Sequence, residues 1–179
     1  MKKLVIIAVM ALIPLTGFSQ SLFDKFEDMD NVSAVVVNKS MFRLLSKIDI
    51  DVDDKETQDF IDIAKSLENL KFFATEDKGI ATNMHNAVKG YLKSSSLEEL
   101  MRIKDKEANV KFYIKNGRDD DHVSELLMFI TGIDDVNVND RKIETVLVSL
   151  TGNIDLRKIN SLTKRMNLPE ELNKVNEKK

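Results

Sequence analysis

Two stretches of this chain gather ligand-type side chains closely enough to suggest a divalent cation. The first is Asp49-Ile-Asp-Val-Asp-Asp54, where Asp49, Asp51 and Asp53 alternate like the opening of a calcium loop. An EF-hand loop begun at Asp49 needs glycine at its sixth position for the sharp turn and a bidentate glutamate at its twelfth. Those positions hold Asp54 and Phe60. The plainer role for Asp53 or Asp54 is to cap a following helix, whose positive N-terminal end favours carboxylates. The second stretch is Gly117-Arg-Asp-Asp-Asp-His122, in which Asp119, Asp121 and His122 combine oxygen and nitrogen ligands. It falls where a hairpin loop is expected, and Asp and Gly are common in turns because they tolerate the backbone angles. His85, the other histidine, follows Met84 with no carboxylate partner nearby in sequence and reads as a surface or half-buried residue.

Known catalytic arrangements are missing. The chain contains no G-x-S-x-G, no H-E-x-x-H and no phosphate-binding Gly-rich loop. Paired carboxylates for glycoside hydrolysis stay open, because Asp and Glu are plentiful and their separation in space is invisible in sequence. The absence of Trp and the presence of only 2 Tyr argue against a carbohydrate platform. No catalytic residue and no cofactor is assigned, and the chain reads more as a binding protein than as an enzyme. Its 27 Lys and Arg are interleaved with 30 Asp and Glu, for a net charge of −3. Phosphate backbones call for clustered base, so nucleic acid is not an expected partner. A recognition face is expected on Lys111, Tyr113 and Lys115, which alternate along one strand that would offer its edge to another chain. The opposing consideration is that lysine on an edge strand blocks such pairing.

These residues sit on elements legible from periodicity. Leu22, Phe23 and Phe26 have helical spacing, and the β-branched run Val32-Ser-Ala-Val-Val-Val37 is expected to be a buried strand. Met41, Leu44, Leu45 and Ile48 form one helical face, and Phe60, Ile63, Ala64 and Leu67 form another in a helix expected to run to Leu70. Lys71 to Thr75 is a strand, and Ile80, Met84, Val88, Tyr91 and Leu92 are the buried stripe of a third helix. Four strands should follow at Leu97 to Lys104, Val110 to Lys115, His122 to Ile130 and Ile143 to Leu150, arranged as an antiparallel meander. Thr151-Gly152-Asn153 then turns the chain into a helix capped by Asp155, with Leu156, Ile159, Leu162 and Met166 as its apolar face. Met41, Met84, Met101, Met128 and Met166 read as core filler. The fold class is α+β: a mainly antiparallel sheet of about five to six strands with helices packed on one face.

The N-terminus says where this domain works. Met1, Lys2 and Lys3 precede the apolar run Leu4 to Leu15, and Gly17 and Ser19 supply the small residues that signal peptidase needs before a cut between Ser19 and Gln20. The run falls short of the roughly 20 apolar residues of a membrane span. Residues 1–19 are therefore expected to be a signal peptide, 20–168 a single domain and 169–179 a charged tail, in a protein exported to the periplasm or beyond. Cysteine is absent, which excludes disulfides, thiolate chemistry and the acyl-accepting residue of a lipoprotein, so no stable membrane anchor is expected in the mature form.

Several segments, in order, carry a family resemblance: Val37-Asn-Lys-Ser-Met-Phe42, Leu97-Glu-Glu-Leu-Met-Arg-Ile-Lys104, Val110-Lys-Phe-Tyr-Ile-Lys115, Ser124-Glu-Leu-Leu-Met128 and Leu150-Thr-Gly-Asn-Ile-Asp-Leu156. Together they resemble domain of unknown function family 4252, exported proteins found mainly in Bacteroidota. The resemblance spans roughly residues 22 to 168. It implies secretion or lipid anchoring at the envelope, no established activity and no catalytic residues to carry over. The expected function is a non-enzymatic binding or interaction module of the cell envelope, with an unidentified envelope protein or ligand as partner. A periplasmic hydrolase using paired carboxylates and a regulatory component of an envelope signalling system are the alternatives.

Overall fold

A computed structural model describes residues 21–45, 47, 55–104, 108–133, 137–138 and 141–158. The expected signal peptide with its Ser19–Gln20 cut, the acidic run Asp49 to Asp54 and the helix beyond Ile159 lie outside the described residues.

The elements are α1 (Ser21–Asp24), β1 (Val32–Val37), α2 (Lys39–Leu45), α3 (Lys55–Ser66), β2 (Leu67–Thr75), α4 (Lys78–Ser94), β3 (Glu98–Lys104), β4 (Asn109–Asn116), β5 (His122–Thr131), β6 (Asn137–Val138), β7 (Arg141–Lys142) and β8 (Thr145–Asp155). A 3-10 turn, Leu156–Lys158, comes after β8. Six strands form one antiparallel sheet in the order β1-β2-β8-β5-β4-β3, while β6 and β7 make a separate small hairpin. The strands β3, β4, β5 and β8 neighbour one another in chain order, which is the expected meander, and β2 and β1 extend it on the far side.

Helices lie against both faces of this sheet, not one. Phe42 of α2 and Ile63 of α3 pack with Val110, Phe112, Leu126, Met128, Val148 and Leu150. Phe23 and Phe26, with Met84, Val88 and Tyr91 of α4, pack with Phe73, Leu127, Phe129 and Leu147. The cause is visible in β5. Successive side chains of a strand point to opposite faces, and Leu126, Leu127, Met128 and Phe129 are all apolar, so each face has to be covered. Helix α4 begins at Asp77, whose Oδ1 accepts the Ile80 N–H at 2.9 Å.

Two boundaries differ from expectation for one shared reason. Helix α3 stops at Ser66 and β2 begins at once with Leu67, while β8 runs through Gly152 to Asp155 in place of the expected turn. Leu67 pairs with Gly152, and a Cβ at Gly152 would lie 2.3 Å from the Ser66 carbonyl oxygen. The glycine therefore serves close backbone approach inside a strand, not chain reversal. Asp155 does act as a cap, for the 3-10 turn, since its Oδ1 accepts the Arg157 N–H at 3.0 Å.

Candidate functional site

The most unusual chemical group of the sheet is Glu125, a carboxylate only 6% exposed in the middle of β5. It faces α4, where the Tyr91 hydroxyl donates to it, 2.8 Å from Oε1 and 2.7 Å from Oε2. Thr151 stands opposite on β8, and its Oγ1 is buried with no hydrogen-bond partner. Asn69 of β2 is the next residue in that cross-strand row. Lys71 lies one pleat away and binds the carboxylates of Asp24 and Glu27, the latter at 2.7 Å. Burial pulls the Lys71 ammonium down, and the two carboxylates outweigh it, leaving it raised. Nothing in the apolar run Val123 to Ile130 announced that its one acid would be buried, although a lone glutamate in such a run was the available signal.

Burial also pushes the Glu125 carboxyl up, against the hydrogen bond from Tyr91 and the charge of Lys115. A raised pKa in a polar cluster is a mark of catalytic acids. Space decides against that here. The cavity among Phe23, Asn69, Lys71, Tyr91, Glu125, Ser149 and Thr151 is about 10 Å³, room for about one water and for no substrate. Glu125 is thus a structural acid with a pH signature. Its folded state holds the proton more tightly than the unfolded chain, so the stability linked to it is full below the ordinary value of 4.5 and is lost as pH rises through the folded value. Glu125→Gln keeps the shape and an acceptor for Tyr91. Its melting temperature should exceed that of the wild type by a margin that grows with pH across this window; a margin constant between about pH 4 and pH 8 would refute the assignment.

The loop before β5 brings Asp119, Asp121 and His122 close but commits them to each other and to arginines. His122 Nδ1 lies 2.5 Å from Asp119 Oδ1, and Arg118 Nη2 lies 2.9 Å from His122 Nε2. Arginine has only hydrogens to give, so Nε2 is the acceptor and Nδ1–H the donor. Both ring nitrogens are thereby occupied. Asp121 faces Arg157 at 3.4 Å, and Arg157 also holds Asp155 at 2.7 Å, which keeps the Asp155 carboxyl down at about 2. Among the described residues no three His, Asp or Glu side chains converge as a cation site. An open cleft of about 630 Å³ where β1 begins and β2 ends includes Glu76 and Asp77, and Asp77 is engaged as the cap of α4.

The strand expected to offer a recognition edge does not lie at one. β4 is interior, flanked by β3 and β5, so Lys111, Tyr113 and Lys115 offer no free edge. Tyr113 is buried with the α4 face, Lys111 is half-buried and Lys115 is exposed. Burial and the nearby Glu99 carboxylate raise the Tyr113 hydroxyl. The difference comes from strand order, because the alternation of a strand does not tell whether it has one neighbour or two.

Among the described residues the free edges of the sheet are β1 and β3, and they differ in kind. β3 carries Glu98, Glu99, Arg102 and Lys104 among its seven residues, the charged type of edge that resists pairing. β1 is VSAVVV, without charge, proline or glycine. Val35 is 51% exposed and Val36 43%, on opposite faces of the sheet. Val35 pairs with Phe72, placing it on the α2 side, where Met41 and Leu44 are 49% and 60% exposed. Met41 is accordingly no core filler, whereas Met84 and Met128 are buried as expected. A β-branched, uncharged edge with exposed valines on both faces is the surface that natural sheets normally cover.

Among the described residues no helix is long and apolar enough to cross a membrane. A family model described as a domain of unknown function, DUF4252, matches residues 26–162. No curated protein and no solved structure matches the chain.

Proposed function

Because the chain belongs to the DUF4252 family, whose description carries no chemistry, its role has to be read from its own surface, and we propose that it is an exported interaction module of the cell envelope that recognises its partner through the free edge of β1. The observation that carries this is the contrast between the two edges: β1 is neutral and apolar, β3 charged. Every second residue of an edge strand turns its N–H and C=O away from the sheet, and an incoming strand satisfies them while side-chain contacts supply specificity. Val35 and Val36 supply apolar contacts for such a strand, one on each face of the sheet. Export accounts for the N-terminal charge and apolar run, and an envelope protein without cysteine can engage partners only non-covalently or through other side chains.

The test is positional. A photoreactive residue at Val36, in the cells that make the protein, should give a discrete adduct that the same probe at Leu100 on β3 does not, and a second change, Val35→Lys, should reduce that adduct at least tenfold. Leu100 is the matched control because it is 46% exposed on the opposite edge. Equal labelling at the two positions, or none at either, would remove the reading.

A further inference from the structure

The partner itself can be inferred from the composition of β1 and its flanks, an inference that rests on the reading just given. We propose that β1 pairs with β1 of a second copy of this chain, antiparallel, about a twofold axis perpendicular to the sheet, so that the two sheets become continuous. An isologous contact requires one surface to complement itself. Val32 to Val37 can do so, since no charge in it would oppose its own image.

Symmetry restricts the register. A twofold axis perpendicular to an antiparallel pair sets one residue opposite its own counterpart, and the middle of β1 offers Ala34 or Val35 for that place. With Ala34 on the axis, Val32 faces Val36 of the copy and Ser33 faces Val35. The Val32–Val36 pair, which the axis repeats, is of the β-branched kind that stabilises antiparallel ladders. The same axis keeps each face on its own side, so Val35, Met41 and Leu44 of the two copies share one side of the joined sheet.

The flanks distinguish a copy from an arbitrary strand. Asp28 and Asp30 precede β1, and Lys39 and Arg43 come after it. Antiparallel pairing lays the acidic end of each copy beside the basic end of the other, twice, whereas parallel pairing would set like charges together. Lys39 already meets Glu68 at 2.5 Å, but that pair is exposed and weakly held, so an aspartate of the copy can join it. β3 has the same order of charge, Glu98 and Glu99 before Arg102 and Lys104, but it carries those charges within the strand, where they resist edge pairing, whereas Val32 to Val37 is free of them.

The chain has no cysteine, so one substitution introduces the sole thiol of each copy. Directly opposed residues of an antiparallel pair have Cα atoms about 4.5–5.5 Å apart, within the reach of a disulfide. Under mild oxidation, Ala34→Cys or Val35→Cys should form an interchain disulfide at least tenfold faster than Leu100→Cys, and the wild type should sediment with twice the mass of one chain. Val36→Lys should return it to a single chain. The proposal is overturned if neither β1 cysteine cross-links faster than the control and the wild type stays a single chain at every concentration. Should that happen while the photoreactive residue at Val36 still gives its edge-specific adduct, self-pairing falls and the recognition edge stands; loss of both removes the edge reading as well.

Discussion

Gly152→Ala is expected to destabilise the fold by about 4 kcal/mol, although it adds a single methyl group. At this position the backbone of β8 passes so near the junction of α3 and β2 that a Cβ would lie 2.3 Å from the Ser66 oxygen, 2.8 Å from the Leu67 Cα and 3.1 Å from the Glu68 nitrogen. All three obstacles are backbone, so no rotamer change relieves them. The φ of Gly152, 152°, is also one that side chains with the L configuration rarely adopt. Relief requires α3 and β2 to move away from β8, which breaks the pairing of Leu67 with Gly152 and of Asn69 with Thr151. Gly90 provides the contrast. It lies on the exposed side of α4 with nothing within 4 Å of its would-be Cβ, and Gly90→Ala should stabilise by about 0.5–1 kcal/mol. Urea unfolding of the two variants measures both, and equal small effects would show that the close approach is not real.

Phe73→Ala should cost about 3–5 kcal/mol, while Val36→Lys, on the strand beside it, should change stability by no more than about 0.5 kcal/mol. Phe73 is fully buried on the α4 face, its ring 5.9 Å from that of Phe26. Its removal takes away transfer energy and leaves a cavity between α1, α4 and the sheet. Val36 is nearly half exposed and its replacement leaves no cavity. The pair separates what the fold needs from what the edge offers: a residue costly to association and free to folding belongs to a partner surface. If Val36→Lys destabilised the single chain as much as Phe73→Ala, the exposure of β1 would have a structural cause and recognition would not be needed to explain it.

Periodicity made most of the elements legible. The Val32 to Val37 strand, the stripe Met84, Val88 and Tyr91 and the alternation of β4 derive directly from residue types, since helices and strands repeat at 3.6 and 2. Three features were not legible, each for a physical reason. The helices divide between two faces because Leu126 to Phe129 is apolar at both parities, a pattern that also fits a strand covered on one side and half covered on the other. Thr151-Gly152-Asn153 has turn composition, and only the distant Ser66 and Leu67 show that its glycine is there for clearance. The edge at β1 depends on strand order, which is set by pairing between residues far apart in sequence, so Lys111, Tyr113 and Lys115 looked like an edge and Val32 to Val37 like a buried strand. Among the chemical candidates, Asp119, Asp121 and His122 do lie close together, but their charge is absorbed by Arg118, which the sequence sets beside them, and by Arg157, whose proximity the sequence does not display.

Amide hydrogen exchange resolved by residue, compared between dilute and concentrated protein, tests the central claim most directly. If β1 is covered by its copy, the N–H groups of β1 that point away from β2 should exchange at least tenfold more slowly in the concentrated sample, while the outward N–H groups of β3 are unchanged. Outward amides of β1 and β3 that exchange alike, and independently of concentration, would contradict it.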